Sequence, residues 1–252
     1  MTPQAWARTG PGAATDGKPK FDLERFDQDF FDKLRERVVA AGNRGIYVGV
    51  MFFDGWALHL SPAPNHIEGH PFHAANNANG ISITSIVDHQ VLPLDPRVQA
   101  RQEAYIRKVI DSVHDLPNVL WEVANESSGG GRVDAGFAEA LGQSGSPEWG
   151  DSTEWQYWVI EVVKRYEQEM GYTTHPIGMT MQFPAPEQTK VNDPVFASRR
   201  LDLARLRRRD LRGRRAPDDA WVSAVPLARG PARGRRPEGR DHRHGPLRPG
   251  ER

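Results

Sequence analysis

The 252-residue chain has no cysteine, which excludes a disulfide framework and any thiolate metal site. No apolar run approaches the ~18 residues that a membrane span requires. The N-terminus, Met1-Thr2-Pro3-Gln4-Ala5-Trp6, lacks a basic segment followed by an apolar one, so no signal peptide is legible and the compartment is left open. Apolar residues make up only 38% of the chain, low for a domain that buries a full core. No glycine-rich phosphate loop follows any predicted strand, which argues against a nucleotide-binding α/β protein.

The formal net charge is zero, but the charges are segregated. Residues 199–252 carry seventeen Arg, no Lys and seven acids, a balance of +10. Residues 1–198 hold the other sixteen basic and twenty-six acidic groups, a balance of −10. The reading is an acidic domain over residues 1–198 and a disordered, Arg-rich tail over residues 199–252, with the boundary near Ser198.

Along the chain, residues 1–20 read as a Gly/Pro loop without a period. Residues 21–43 read as an amphipathic helix region, since Phe26, Phe30, Phe31, Leu34, Val38 and Ala41 recur at spacings of three and four. Asp27 is its candidate N-cap and Gly42 its stop. Residues 45–53 form a near-continuous apolar strand of the kind buried on both faces of a parallel sheet. A long Pro/Asn/Gly/His loop leads to a helix over residues 95–116, capped by Asp95 with Pro96 in its first turn. Its apolar face is Val98, Tyr105, Ile106, Val109, Ile110 and Val113. A strand over residues 118–123 follows at once. A Gly/Ser-rich loop then leads to a helix from Ser152 or Thr153 to Met170, with Trp155, Trp158, Val159, Val162, Val163 and Tyr166 on one side, closed by Gly171, and a third strand covers residues 176–182.

Links from helix to strand are short, whereas links from strand to helix run to tens of residues. Loops longer than about fifteen residues inside a compact domain are usually functional. All of the long ones follow strands, which places them on one face of a parallel sheet. A (β/α)₈ barrel builds its active site on that face, and an open doubly wound sheet binds its ligands there as well.

The strand Asn118-Val119-Leu120-Trp121-Glu122-Val123 ends in Ala124-Asn125-Glu126-Ser127-Ser128, so a carboxylate stands at a strand exit. Trp121-Glu122-Val123-Ala124-Asn125-Glu126 resembles the fourth-strand motif of the retaining glycoside hydrolases built on (β/α)₈ barrels. Arg8-Thr9-Gly10-Pro11-Gly12, Lys20-Phe21-Asp22-Leu23, Arg44-Gly45-Ile46-Tyr47-Val48, Phe53-Asp54-Gly55-Trp56, His70-Pro71-Phe72 and Ala75-Asn76-Asn77 extend the likeness. Together they resemble the apiosidase-like (DUF4038) group of barrel hydrolases, cellulase-like in layout, over residues 5–198. The resemblance implies an α/β fold, an incomplete (β/α)₈ TIM barrel. It also implies hydrolysis of O-glycosyl bonds with retention, Glu126 as general acid/base, Asn125 on the sugar 2-hydroxyl, and an oligosaccharide or polysaccharide substrate. Such enzymes use two carboxyl groups about 5–5.5 Å apart, one protonating the leaving oxygen and one attacking the anomeric carbon. Relatives of this kind are secreted or periplasmic in bacteria.

Further candidates for substrate binding are Asp54 and Trp56 at the end of the residue 45–53 strand, Asn76 and Asn77 in the long loop, and Gln182 at the end of the third strand. Trp56 suits stacking on a sugar ring and also suits a core. Glu122, two turns of the pleat before Glu126, reads as a supporting carboxylate deeper in the sheet. Strict alternation points Asn125 and Glu126 to opposite faces, so both reach one ligand only if the strand turns or bulges there. His59, His66, His70, His73 and His89 crowd one loop, but their spacings match neither a helical HxxxH pair nor a zinc finger. No metal or cofactor is expected, and no membrane partner.

The tail admits two readings. A basic arm without interleaved aromatics would give nonspecific phosphate contacts. Alternatively, in a G+C-rich gene, codons from Arg199 read one nucleotide over can encode Ala-Asp-Trp-Ile-Ser-Pro-Gly-Tyr-Asp, as barrel hydrolases carry downstream. The second reading is preferred, and nucleic acid is not the expected partner. The resembled enzymes place their nucleophile on the seventh strand, beyond the point where this chain keeps a barrel-like pattern, so the fragment is expected to be inactive. A carbohydrate-binding pseudoenzyme is the alternative from another class. Sequencing the gene is expected to show a frame slip near the Ser198 codon; early stop codons in the alternative frame would refute it.

Overall fold

The structure is a computed structural model, and it describes residues 4–59, 67–130 and 149–184. The chain after residue 184, including the predicted basic tail and the proposed change of frame, lies outside the described residues.

The first element corrects the sequence reading. Residues taken as a Gly/Pro loop (1–20) and as the start of the helix region (21–26) form an antiparallel hairpin, β1 (Trp6–Ala13) with β2 (Pro19–Phe26). Its register shifts between Trp6 and Ala7, between Ala7 and Gly10, and between Gly10 and Ala13. Each shift breaks the two-residue alternation by which a strand is recognised. The predicted helix therefore begins later, as α1 (Gln28–Gly42), after Phe21 and Leu23 have entered the core on β2. Asp27 caps α1 as expected, its carboxylate accepting from the Asp29 amide at 3.1 Å.

β3 (Val48–Asp54) follows, then two short helices, α2 (Trp56–His59) and α3 (Val87–Gln90), within the long loop. α4 (Pro96–Val113) starts at the Asp95 cap, whose side chain accepts from the Arg97 amide at 2.8 Å. β4 (Val119–Asn125) and the short β5 (Ser127–Ser128) come next, then α5 (Thr153–Met170), β6 (Ile177–Gly178) and β7 (Gln182–Phe183). Gly171 closes α5 with φ 67°, a left-handed cap that favours glycine.

β3, β4 and β6 form a parallel sheet in that order, with Val48 opposite Val119 and Trp121 opposite Ile177. β5 pairs in parallel with β7. β5 continues β4 after a break at Glu126, and β7 continues β6 after a break at residues 179–181. The predicted third strand is thus two short pieces. The fold class is α/β with parallel strands, as the alternation of helices and strands predicted.

α4 packs against both α1 and α5, and the faces read from periodicity do meet the core. Val98, Ile106, Val109, Ile110 and Val113 of α4, and Val159, Val162 and Val163 of α5, are buried with Val50, Phe52, Val119, Trp121, Val123 and Ile177 of the sheet. β3 is not buried on both faces, contrary to expectation. Ile46 and Tyr47, just before β3, and Met51 within it are exposed at 52%, 62% and 38%, whereas Val50, Phe52 and Phe53 are buried.

A buried carboxylate fastens α5 to the sheet. Glu167 is fully buried and accepts from the Trp121 indole at 2.8 Å and the His175 amide at 3.1 Å. Lys164 lies 3.5 Å from it and donates to the His175 carbonyl. Burial alone would raise the Glu167 pKa. The His175 hydrogen bond, the Lys164 charge and the Trp121 indole outweigh burial and hold it below the ordinary carboxylate value. Its contribution is therefore present above the unfolded carboxylate range and lost as pH falls through the depressed folded value. Glu167→Ala strands these donors and is expected to cost at least about 3 kcal/mol in urea unfolding. Glu161→Ala, on the exposed side of the same helix, is expected to change stability by no more than about 0.5 kcal/mol.

Candidate active site

The parallel register places Asp54 of β3 directly opposite Asn125 of β4, so both polar strand exits lie at one edge of the sheet. The Asn125 amide donates to Asp54 Oδ1 at 3.3 Å, and the Gly55 N–H donates to the Asn125 carbonyl at 2.7 Å. The same Asp54 oxygen lies 3.4 Å from the Ala57 amide in the first turn of α2. That helix carries Trp56, which is 46% exposed. Trp56 is thus not a core residue.

Glu126 follows Asn125 at the break between β4 and β5. It is half-buried, and its φ is 43°. The turn that the sequence required for Asn125 and Glu126 to serve one ligand is present in the backbone. Directly beyond it, Ser127 pairs with Gln182 on β7. Glu126 therefore stands where β4 gives way to β5, next to the Asp54–Asn125 pair at the β3 exit. Glu122 is half-buried deeper on β4, and burial raises its pKa.

Three candidates have other duties. Asn76 is buried; its oxygen accepts from the Thr15 amide and hydroxyl at 3.0 and 2.9 Å, and its nitrogen donates to the Glu68 and His70 carbonyls. Asn77 is buried as well, donating to the carbonyls of Pro71, His73 and Ile81 and accepting from the amides of Asn79 and Ile81. These side chains shape the loop, and their polar atoms are occupied rather than turned toward a ligand. Gln182 is buried with its amide nitrogen 3.0–3.1 Å from Asp151, Ser152 and Thr153 side-chain oxygens, which pins β7 to the start of α5.

The sequence reading missed the residues that support the site from behind. Gln90 of α3 accepts from the Ser128 amide at 3.0 Å. Gln156 of α5 donates to Ser127 at 2.9 Å and accepts from the Thr180 amide at 3.0 Å. Gln102 of α4 bridges the Trp155 indole and the His89 carbonyl at 2.9 and 2.7 Å. All three glutamines are fully buried. The sequence signal of Gln102 and Gln156 is a polar residue on the apolar stripe of a helix, whereas Gln90 ends the four-residue α3, which carries no such stripe.

Of the crowded histidines, His66 and the side chain of His59 lie outside the described residues. His70 and His73 accept from nearby amides, those of Phe72 and Ala75, at 3.1 and 3.3 Å. His89 is buried edge-on to Phe53, Phe72 and His70, with ring centroids 4.9–5.7 Å apart. Among the described residues no group of three or more His, Cys, Asp or Glu could hold a metal ion.

No family model, curated protein or solved structure matches the chain.

Burial, together with the neighbouring His73, lowers the His70 pKa to about 4. Burial, with His70 adjacent, lowers that of His89 well below its ordinary value. Both rings fold neutral, so the unfolded chain takes up more protons below pH ~6.5. Stability is expected to be complete above that pH and to fall steadily toward pH 4. Replacing His89 with Phe should flatten this part of the profile, as read from thermal midpoints at half-unit pH steps.

Proposed function

We propose that the chain carries the acid/base half of a glycoside hydrolase site, of the apiosidase-like retaining type that its motifs resemble. Its parallel strands are then consecutive strands of a (β/α)₈ barrel. What supports the reading above all is the meeting of Asp54, Asn125 and Glu126 at the carboxyl edge of a parallel sheet, beside an exposed Trp56.

In this reading Glu126 gives its proton to the departing glycosidic oxygen and takes one back from water in the second half of the reaction. Asn125 holds a sugar hydroxyl through its amide. Asp54, already bound to Asn125 and close to the Ala57 amide, fits the orienting of that amide better than attack on carbon. The indole of Trp56 offers its face to a pyranose ring. The second carboxylate is assigned to no described residue, so the chain by itself is expected to bind sugar without turning it over. The exposed Trp56 gives the non-catalytic sugar-binding alternative the same support.

Calorimetry with β-linked cello-, xylo- and galacto-oligosaccharides tests this. The expected result is binding to at least one of them, weakened about tenfold or more by Trp56→Ala and preserved by Glu126→Gln. Aryl β-glycosides measure turnover, and release of the aryl alcohol that disappears in Glu126→Gln would show a complete site. A folded chain that binds none of these sugars would overturn the reading.

A further inference from the structure

We propose that Gly55 is a positioning residue that holds Glu126 in its left-handed backbone. The functional weight of this role rests on reading Glu126 as the acid/base group. A Cβ at position 55 would lie 2.1 Å from the Glu126 carbonyl oxygen, 2.7 Å from its carbonyl carbon and 2.9 Å from the Asn125 oxygen. These are backbone atoms, which cannot swing aside as the end of a flexible side chain can. The Gly55 N–H also donates to the Asn125 carbonyl at 2.7 Å. The close approach and the hydrogen bond thus act at one junction, the two peptide groups that flank the Glu126 Cα.

That junction is where the backbone is strained. Glu126, with φ 43°, is the one non-glycine residue of positive φ among the described residues. A side chain with a Cβ rarely adopts this region, and it persists only where its surroundings impose it. In ordinary extended backbone, β4 would run straight through into β5, and alternation would send the residue 126 side chain to the face opposite Asn125. The absence of a side chain at position 55 leaves room for the turn. Its hydrogen bond to Asn125 fixes where the turn begins. Asp54 and Trp56 flank Gly55, so one short segment sets the Asn125 amide, the Glu126 backbone and the indole platform together.

The test compares Gly55→Ala, Glu126→Gly, Glu126→Asn and the double variant Gly55→Ala/Glu126→Gly. Each is measured by thermal midpoint and by oligosaccharide calorimetry, and the variants that keep a Cβ at residue 126 also by the strong intraresidue amide–Hα cross-peak that positive φ gives there. Gly55→Ala is expected to lower the midpoint by about 5 °C or more and to abolish the residue 126 cross-peak. The double variant is expected to lose less than half of that, because glycine at 126 lets the junction move. Glu126→Asn, which tolerates left-handed backbone, is expected to raise the midpoint by about 1–3 °C. Sugar affinity is expected to fall at least tenfold in Gly55→Ala while the remaining fold is kept. Additive thermal losses with an unchanged cross-peak, or unchanged sugar affinity in Gly55→Ala, would overturn the proposal. Should Gly55→Ala fail to fold, Glu126→Asn decides, since a lowered midpoint there contradicts strain at residue 126. If the unsubstituted chain binds no oligosaccharide, the functional reading falls, and the thermal cycle still decides whether Gly55 and Glu126 are coupled.

Discussion

Parallel pairing of β3 with β4 is the constraint from which the remaining geometry follows. In a parallel ladder both strands exit on the same edge, so their polar ends must share a small space. Here Asp54 meets Asn125, and Gly55 meets the carbonyl that follows. A chain leaving a strand must direct its backbone groups somewhere. The Gly55 amide satisfies the Asn125 carbonyl, and the turn at Glu126 then brings Ser127 and Ser128 into a second parallel pairing with β7. The strand exits are held by hydrogen bonds and close backbone contact rather than by long side chains.

Behind this edge the helices are tied down by polar groups inside the apolar core. Gln102, Gln156 and Glu167 are fully buried, and each bridges elements distant in sequence. An apolar contact resists separation but slides at little cost. A buried amide or carboxylate is directional, and it is costly to leave without partners. Gln156 therefore fixes how far α5 sits from the Ser127 turn, while Glu167 fixes the opposite end of the same helix against Trp121. The candidate site inherits its geometry from both anchors.

Much of the candidate site was legible in the order of residues. An Asn-Glu pair after an apolar strand, and Asp-Gly-Trp after another, marked the two exits that the structure places side by side. Asn76, Asn77 and Gln182 looked alike at that level, being amides near strand ends or in a long loop. Their roles differ because a side-chain amide shows by itself only what it can bond, not what stands next to it. Thr15, from the tip of the β1–β2 hairpin, occupies Asn76 across a separation of 61 residues, and no local pattern announces that pairing. The hairpin itself escaped notice because its register shifts three times, erasing the period by which strands are read.

Local order determined the elements whose signals are local. The caps at Asp27 and Asp95, the left-handed stop at Gly171 and the apolar stripes of α1, α4 and α5 each depend on residues within a few turns of one another. Tertiary structure alone decided that Glu167 is buried while Glu161 on the same helix is exposed, that Met51 of β3 stays exposed, and that Glu126 sits in left-handed backbone. The reason is distance along the chain. Trp121 is 46 residues from Glu167, and the strand exit that crowds Glu126 belongs to another βα unit. Energies set by such neighbours exist only once the chain has brought them together.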